Sequence, residues 1–267
     1  MISASATHPG LVRQNNEDCV RTDDQLGVYL LADGIGGHNA GEVASALAVD
    51  TVYGILRSNL ARTAVDDYFE LMVYALQAAH WEIYTTAQAD QAMAKMGTTL
   101  VFAVIRDNKA YIVNAGDSRC YLFQRGFYDK PDPLIGQGLH RFCRLTHDHT
   151  VGDQLLANGV PLGEIPKNKF HALTRSLGCA DPPYPDFSII EIRRGDMLLI
   201  CSDGLTDMLS DQEIETILAE GTSGIDDLAL KLVEAANAHG GRDNISVILV
   251  AQSLEQAGEP ADTGGFL

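Results

Sequence analysis

Two aliphatic segments of this sequence end in the same dipeptide, Asp-Gly, and a third begins just after an aspartate. The segment VYLLADG ends at Asp33-Gly34, and MLLICSDG ends at Asp203-Gly204. In GGRDNISVILV, Asp243 stands just before the aliphatic run. Short runs of β-branched and aliphatic residues are typical of buried strands. If the third strand runs antiparallel to the other two, its start lies where they end, and three carboxylates meet at one edge of a sheet.

The other aliphatic runs and the helical patterns between them predict a layered α+β domain. Strands are predicted at 27–32, 98–106, 110–114, 119–124, 197–201 and 245–251. Helices are predicted at 41–56, 65–89, 210–220 and 226–239. Short links between consecutive strands, as within 109–124, indicate antiparallel hairpins, and paired helices do not fit βαβ alternation. Ser210 with Glu213 forms a capping-box pattern, and Gly240 ends the last helix as a C-terminal glycine does.

Two segments fall outside this pattern. Between about 150 and 185 the periodicity weakens and five prolines occur, which predicts a mobile flap inserted into the domain. Residues 253–267 are polar and glycine-rich, which predicts a disordered tail. The predicted organisation is therefore a single domain over 1–252 that carries the flap and is followed by the tail.

The composition restricts where the protein works and what it binds. The chain of 267 residues has 19 basic and 36 acidic residues and a net charge of −17, which disfavours nucleic-acid and anionic-membrane partners. No apolar run approaches the roughly 18 residues of a spanning helix, and the N-terminus lacks a signal-peptide pattern. We therefore expect a cytoplasmic protein. Its five cysteines are far apart without a C-x-x-C pair, which predicts reduced core thiols rather than disulfides or a zinc site.

Three further acids join the aspartates at the strand ends. Asp117 lies in the predicted turn of YIVNAGDSRCYL, and Glu17 and Asp18 are adjacent in RQNNEDCV. Clustered carboxylates repel one another unless a cation neutralises them, so the cluster indicates hard divalent metals. No His or Cys stands at ligand spacing, and oxygen ligands suit Mg²⁺ or Mn²⁺ better than Zn²⁺. One Asp-Gly alone is usually a turn, but the repeated pattern favours a metal site, in which the carbonyl of Gly34 can also face a cation.

A pair of divalent ions indicates the chemistry of phosphate-ester hydrolysis. Two ions about 3.5 to 4 Å apart can activate a bridging water and stabilise its in-line attack on a phosphoryl group. Arg13, four residues before Glu17, could bind two phosphate oxygens with its planar fork, although a surface salt bridge is the commoner role of such an arginine.

The histidines offer weaker candidates. His38 in GIGGHNAGE is either a general acid or a loop histidine. His147 and His149 resemble a metal pair, but residues two apart face opposite sides of a strand, so a structural turn is favoured.

An ordered set of motifs resembles a known family. The motifs are RQNNED, LLADGIGGHNAGEVAS, GTTLVF, NAGDSRCYL, LTHDHT, LTRSLG, CSDGLTDML and GGRDNISVILV, which run from about residue 7 to residue 250. They resemble the bacterial branch of the metal-dependent protein phosphatases, the protein phosphatase 2C-type serine/threonine phosphatases. The resemblance implies an α-β-β-α sandwich of two antiparallel sheets flanked by helix pairs.

The resemblance also implies a role for each acid. Asp33 would bridge two metals as a catalytic residue, and Asp203 and Asp243 would complete the first metal site. The carbonyl of Gly34 would bind the second metal. The remaining acids of the set would hold that metal or its waters (Glu17, Asp18) or, with Asp203, a weaker third ion (Asp117).

Three other residues complete the implied site. Arg13 would clamp the substrate phosphate as a catalytic residue, and Asn244 would orient its neighbours. Eukaryotic relatives have a histidine two residues after the bridging aspartate, proposed as general acid, whereas this chain has Ile35. A water at the metals could protonate the leaving group instead, with His38 as a less favoured choice.

The leading hypothesis is a Mn²⁺- or Mg²⁺-dependent hydrolase of phosphoserine and phosphothreonine in proteins, without a phosphoenzyme. The resemblance implies a monomer and a cognate serine/threonine kinase as partner. One alternative is a pseudophosphatase that binds phosphoproteins without turnover, although all the metal carboxylates are present. Another is a regulator of sigma-factor switching, for whose usual sensory domains this chain has no room.

Overall fold

The computed structural model describes residues 1–36, 40–124, 140–220 and 224–252. These residues contain eleven strands and six α-helices. The strands are β1 (Ile2–His8), β2 (Asp18–Asp23), β3 (Val28–Ile35), β4 (Gly97–Thr98), β5 (Leu100–Arg106), β6 (Lys109–Ala115), β7 (Arg119–Gln124), β8 (Arg141–Arg144), β9 (Asp186–Glu191), β10 (Asp196–Cys201) and β11 (Ile245–Ala251). The helices are α1 (Ala40–Asn59), α2 (Tyr68–Ala89), α3 (Val151–Ala157), α4 (Asp203–Thr206), α5 (Asp211–Ala219) and α6 (Ile225–Ala238).

The strands form two sheets in which all the described pairings are antiparallel. One sheet has five strands in the order β1-β11-β10-β7-β8. The other has six strands, with β2-β3-β5-β6-β9 in order and β4 paired to β3. This arrangement confirms the α+β class that the sequence predicted.

Three apolar layers hold the sandwich together, because side chains alternate across each strand. On β3, Val28 and Leu30 pack toward α1 and α2, whereas Tyr29 and Leu31 face the other sheet. On the five-stranded sheet, Leu249 packs against the layer that contains α4, α5 and α6. The order of layers is therefore helices, sheet, sheet, helices, as the family resemblance implied.

The helix ends follow the local rules that the sequence suggested. Ser210 caps α5 in a capping box, in which Ser210 Oγ accepts from Glu213 N–H at 3.3 Å and the Glu213 carboxylate accepts from Ser210 N–H at 2.8 Å. Helix α6 ends at Ala238, and Gly240 beyond it has a φ of +123°, which favours glycine. The segment predicted as one helix over 65–89 divides into a 3₁₀ turn and then α2.

Two topological predictions were wrong. Strands β6 and β7 do not form a hairpin, because the turn between them carries the chain from the six-stranded sheet to the five-stranded one. The strands that lead to Asp33 and Asp203 also belong to different sheets. Strand β11 does run antiparallel to β10, so Asp243 and Asp203 share one sheet edge. The acids therefore meet where the edges of two sheets converge.

The segment 150–185, predicted as a flap, contains α3 and two short 3₁₀ helices, Leu162–Glu164 and Lys167–His171. Isolated bridges pair Thr150 with Leu173 and Leu177 with Thr98. The single domain over 1–252 stays a prediction, and the tail 253–267 lies outside the described residues.

The cysteines and the helix lengths bear on the two predictions drawn from composition. All five cysteines are free, but Cys179 is exposed, so it is not a core thiol as predicted. Among the described residues, no helix combines the length and the apolar character needed to cross a membrane.

Candidate metal centre

The predicted site residues surround one open cavity of about 650 Å³ at the converging sheet edges. Asp33 lies near the end of β3, and Asp203 begins α4 directly after β10. Asp243 lies two residues before β11, and Asp117 lies in the turn between β6 and β7. The other predicted residues on its wall are Arg13, Glu17, Gly34 and Asn244. Asp18 faces Asp33 across the pairing of β2 with β3, so it lies beside this group.

Two adjacent threonines hold Asp33 in place. Its backbone N–H donates to Thr99 Oγ1 at 3.0 Å, and its carbonyl accepts from Thr98 Oγ1 at 2.7 Å. Thr99 Oγ1 also lies 2.7 Å from Ser118 Oγ, beside Asp117. All three hydroxyl side chains are buried. This network connects the Asp33 strand to the Asp117 turn with hydrogen bonds that water cannot easily replace.

Gly34 is needed because backbone approaches it closely from two directions. A Cβ at this position would overlap the carbonyl oxygen of Gly41 and would lie 2.7 Å from the carbonyl oxygen of Glu17. The N–H of Gly34 donates to that Glu17 carbonyl at 3.1 Å. The glycine therefore places the segment that carries Glu17 directly against the Asp33 strand.

Burial and mutual repulsion disfavour the charged forms of the clustered carboxylates. Burial, aided by neighbouring carboxylates, raises the pKa of Asp18 to about 7 and that of Asp117 to about 8. For the same reasons the pKa of Asp203 rises to about 6, and that of Asp33 lies well above its usual range.

The chemistry of this donor set fits divalent cations. The donors are carboxylate and carbonyl oxygens, which hard cations prefer. Asp18 Oδ2 accepts a hydrogen bond from Ser202 Oγ at 2.8 Å, but its buried Oδ1 has no hydrogen-bond partner among the described residues. A cation among these groups would offset their repulsion and favour their charged forms.

Arg13 lies at the mouth of the cavity. Its Nη2 is 2.6 Å from Asp243 Oδ2, and the two side chains are 54% and 34% exposed. Arg13 thus forms a salt bridge, as the commoner interpretation held, but it does so with a predicted metal ligand. Its side chain is about half exposed on the wall of the open cavity.

Asn244 connects the start of β11 to the N-terminal segment of the site. Its Oδ1 accepts from the Glu17 N–H at 2.7 Å. Its Nδ2 donates to the carbonyls of Pro9 at 3.1 Å and Asn15 at 2.8 Å. Only 5% of Asn244 is exposed, so it uses its amide almost entirely to hold residues that flank Arg13.

Two residues of the site were missed by the sequence analysis. Ligand atoms of His171, Asp203 and Asp207 lie within 4.8 Å of one another. Asp207 follows Asp203 by four residues, so the spacing DGLTD on a helix could have indicated it. His171 comes from the segment 150–185, and its Nδ1 lies 3.6 Å from Asp207 Oδ2. No local pattern in the sequence pointed to it.

The remaining sequence candidates are His38, Ile35 and the pair His147 and His149. His38 lies outside the described residues. Ile35 is 39% exposed and contributes a hydrocarbon side chain to the cavity wall. The side chain of His147 is 84% exposed and that of His149 is 6% exposed, and both rings approach Asp186 Oδ2, at 3.9 and 3.3 Å. Neither belongs to a cluster of possible metal-ligating atoms among the described residues.

The fold and the site together define an α-β-β-α sandwich that carries an acid-lined cavity where the edges of its two sheets converge. A family model described as protein phosphatase 2C matches residues 3–235. The serine/threonine phosphatase stp of Listeria monocytogenes is 33% identical over 260 residues, which cover 96% of this chain and 97% of that protein. Protein phosphatase PhpP of Streptococcus pneumoniae is 35% identical over 256 residues, which cover 94% of this chain and 97% of PhpP.

Solved structures agree with these sequence relatives. The serine/threonine phosphatase PstP/Ppp of Mycobacterium tuberculosis is 30% identical, with a TM-score of 0.80 over 94% of this chain and 99% of that one. A PstP catalytic domain solved with two manganese ions is 31% identical, with a TM-score of 0.76 over 93% of this chain and 96% of that one.

The chain therefore belongs to the protein phosphatase 2C family, as its motifs predicted. Its class is that of the metal-dependent serine/threonine protein phosphatases. Nothing in these relatives favours a pseudophosphatase.

Proposed function

We propose that this chain hydrolyses phosphoserine and phosphothreonine in proteins by direct attack of water, with two Mn²⁺ or Mg²⁺ ions at the acid-lined cavity. The observation that carries this proposal is the convergence of Asp33, Asp203 and Asp243 from two sheets onto one cavity. When bound, such ions supply an activated water nucleophile and neutralise charge on the phosphoryl group. The Mn²⁺-containing relative supports the choice of metal.

The proposed ligands divide between the two ions by position. Asp33 has acids of both proposed sites, Asp18 and Asp203, as electrostatic neighbours and is proposed to bridge the ions. Asp203 and Asp243, which flank β10 and β11, would complete the first site. The second site would be formed by the Gly34 carbonyl with Glu17 and Asp18, which lie beside β3.

Arg13 is proposed to bind the substrate phosphate. A chain with a net charge of −17 repels an anionic substrate unless positive charge lies at the site. Arg13 is exposed at the cavity mouth beside Asp243, and its planar fork matches two phosphate oxygens. Asn244 is proposed to position this arginine and Glu17, because it bonds the backbone of Pro9 before Arg13 and that of Asn15 and Glu17 after it.

The leaving alkoxide also needs a proton. Ile35 cannot donate one, although it lines the cavity at the position where eukaryotic relatives have a histidine. We therefore assign this proton to a water in the cavity.

A third, weaker ion is proposed beside Asp117 and Asp203. Both carboxylates line the cavity, and Asp207 lies close enough to Asp203 to contribute a further oxygen. A cognate serine/threonine kinase, a monomeric state and a cytoplasmic location are also proposed. The support for these last three is the motif resemblance to bacterial phosphatases, together with the acidic composition.

Hydrolysis of p-nitrophenyl phosphate and of a phosphothreonine peptide during a Mn²⁺ titration tests the proposal. The protein is first stripped with a chelator, and activity should appear only when metal is added. Asp33→Asn should stay inactive throughout the titration. Asp66→Asn is its matched control, because Asp66 is an exposed acid away from the cavity. A folded protein that binds Mn²⁺ and releases no phosphate from either substrate would overturn the proposal.

A further inference from the structure

We propose that His149 is a positioning residue that fixes the turn carrying Asp117 and ties that turn to the segment 150–185. The inference rests on the proposed function, in which Asp117 is a metal ligand. His149 belongs to the motif LTHDHT, whose histidines have no role in the mechanism above.

His149 holds Gly116 by both of its polar backbone groups. The backbone N–H of His149 donates to the Gly116 carbonyl at 3.0 Å, and His149 Nδ1 accepts from the Gly116 N–H at 3.1 Å. Gly116 precedes Asp117 directly, so the clamp acts one residue from the proposed ligand.

The turn itself has little freedom to replace this clamp. Gly116 has a φ of +124°, and a Cβ there would lie 2.6 Å from the Thr99 side chain, so only glycine fits. On the other side of Asp117, Ser118 Oγ bonds Thr99 Oγ1 at 2.7 Å. Both neighbours of Asp117 are therefore fixed by hydrogen bonds, Gly116 to His149 and Ser118 to Thr99.

The contacts of His149 determine which ring nitrogen carries the proton. The Gly116 N–H can only donate, so Nδ1 must be unprotonated. Burial, aided by Arg175, holds the pKa of His149 below its usual value and favours the neutral ring. The single proton is therefore on Nε2, which lies 3.3 Å from Asp186 Oδ2. Arg175 Nη1 also lies 2.9 Å from Nε2, but its two N–H groups donate to Asp186 Oδ1 and to the Tyr184 carbonyl. Asp186 orients His149 as a carboxylate orients a metal-binding histidine.

The same carboxylate is held from the segment 150–185. Arg175 Nη1 donates to Asp186 Oδ1 at 2.7 Å and to the Tyr184 carbonyl at 3.1 Å. The N–H of Thr174 donates to the His149 carbonyl at 2.8 Å. A continuous chain of hydrogen bonds thus runs from Arg175 through Asp186 and His149 to the Asp117 turn.

Two substitutions separate the two sides of the imidazole. His149→Asn places an amide oxygen near the Nδ1 position, so it keeps an acceptor for Gly116, but it is too short to reach Asp186. His149→Gln reaches toward Asp186 and removes the acceptor for Gly116. Partners behind a metal ligand typically change metal affinity about 10- to 100-fold. We therefore expect His149→Gln to weaken the weakest Mn²⁺ site at least about tenfold, and His149→Asn to restore most of that loss.

The test combines metal binding, kinetics and nuclear magnetic resonance on the full chain. Mn²⁺ binding to the stripped protein is measured by calorimetry, and kcat and KM for p-nitrophenyl phosphate are measured across Mn²⁺ concentrations. His147→Gln is the matched control, because it makes the same change two residues away, on an exposed ring that lies 3.9 Å from Asp186 Oδ2 but has no hydrogen bond to Gly116 among the described residues. The double variant His149→Gln/Asp117→Asn should bind Mn²⁺ no more weakly than Asp117→Asn alone, because both changes act through one ligand.

Long-range ¹⁵N spectra of the unmodified protein report the tautomer without any substitution. A protonated Nδ1 in His149 would overturn the inference, even if both variants failed to fold. The inference would also fail if His149→Gln bound Mn²⁺ as wild type does, or if its loss added fully to that of Asp117→Asn. A wild-type protein that shows no metal-dependent hydrolysis would instead overturn the proposed function.

Discussion

Asn244→Ala is expected to damage stability and activity together, although Asn244 is not a proposed metal ligand. The substitution removes three hydrogen bonds, from Glu17 N–H and to the carbonyls of Pro9 and Asn15. These partners belong to the chain segment on which Arg13 and Glu17 reach the cavity. Loss of the Asn244 amide therefore releases the segment that carries Arg13 and Glu17 from the start of β11.

The magnitude follows from the number of bonds and from their burial. Each hydrogen bond contributes about 0.5–1.5 kcal/mol net, so three of them give roughly 2–4 kcal/mol in the free energy of unfolding. For domains of this size 1 kcal/mol corresponds to about 2–4 °C, so the melting temperature should fall by roughly 5–15 °C. Asn244→Asp should cost more than alanine, because a carboxylate would replace the Nδ2 donor opposite two carbonyl oxygens.

Urea unfolding and hydrolysis of p-nitrophenyl phosphate are the assays. Asn158→Ala is the control, because Asn158 is exposed and its side chain makes no hydrogen bond among the described residues. A loss below about 1 kcal/mol for Asn244→Ala, equal to that of the control, would refute the reasoning. So would an Asn244→Asp variant that is more stable than Asn244→Ala.

Three further predictions concern the proposed metal ligands, the proposed phosphate clamp and a buried histidine of α2. Asp33→Asn and Asp203→Asn should each abolish hydrolysis at saturating Mn²⁺ with an unchanged circular dichroism spectrum, and near-normal turnover in either contradicts the two-metal assignment. Arg13→Lys keeps the charge and loses the fork, so KM for a phosphopeptide should rise on the order of tenfold, or about 1.4 kcal/mol, and a change below about twofold argues against the clamp. Burial lowers the pKa of His80, whose Nδ1 accepts from Gly178 N–H at 3.2 Å. The unfolded chain therefore takes up this proton first, and stability should fall as the pH drops below about 6.5 through the folded-state pKa. Urea unfolding across pH should show this loss reduced in His80→Asn, and identical pH profiles would contradict it.

Local sequence patterns predicted where the strands lie better than they predicted which strands pair. Strand β7 coincides with its predicted range of 119–124, and β11 with 245–251. The sheet to which each strand belongs was not predicted, because alternation and composition describe the faces of a strand and not its neighbour. Strand β2 was missed, since its sequence DCVRTD is half-buried throughout and gives no apolar alternation.

The residues of the site were likewise predicted only where a local sequence pattern marks them. Its acids were found because Asp-Gly after a strand is a local pattern, and Asp207 could have been found from its spacing to Asp203. Thr99 and His149 could not be found as supports, because each bonds a residue of the Asp117 turn that is 19 or more positions away in the sequence. Thr99 Oγ1 bonds Ser118, 19 residues on, and His149 bonds Gly116, 33 residues back.

The site also joins the two sheets, which explains why so many polar residues near it are buried. Asp18 on β2 accepts from Ser202, which follows β10 of the other sheet. Glu17 donates to Asn244, which precedes β11. Each bond spans the sandwich, so it opposes the repulsion that the converging carboxylates exert on the two edges. The residues that hold the acids together therefore also hold the sheets together, and a variant of any of them changes stability and chemistry at once.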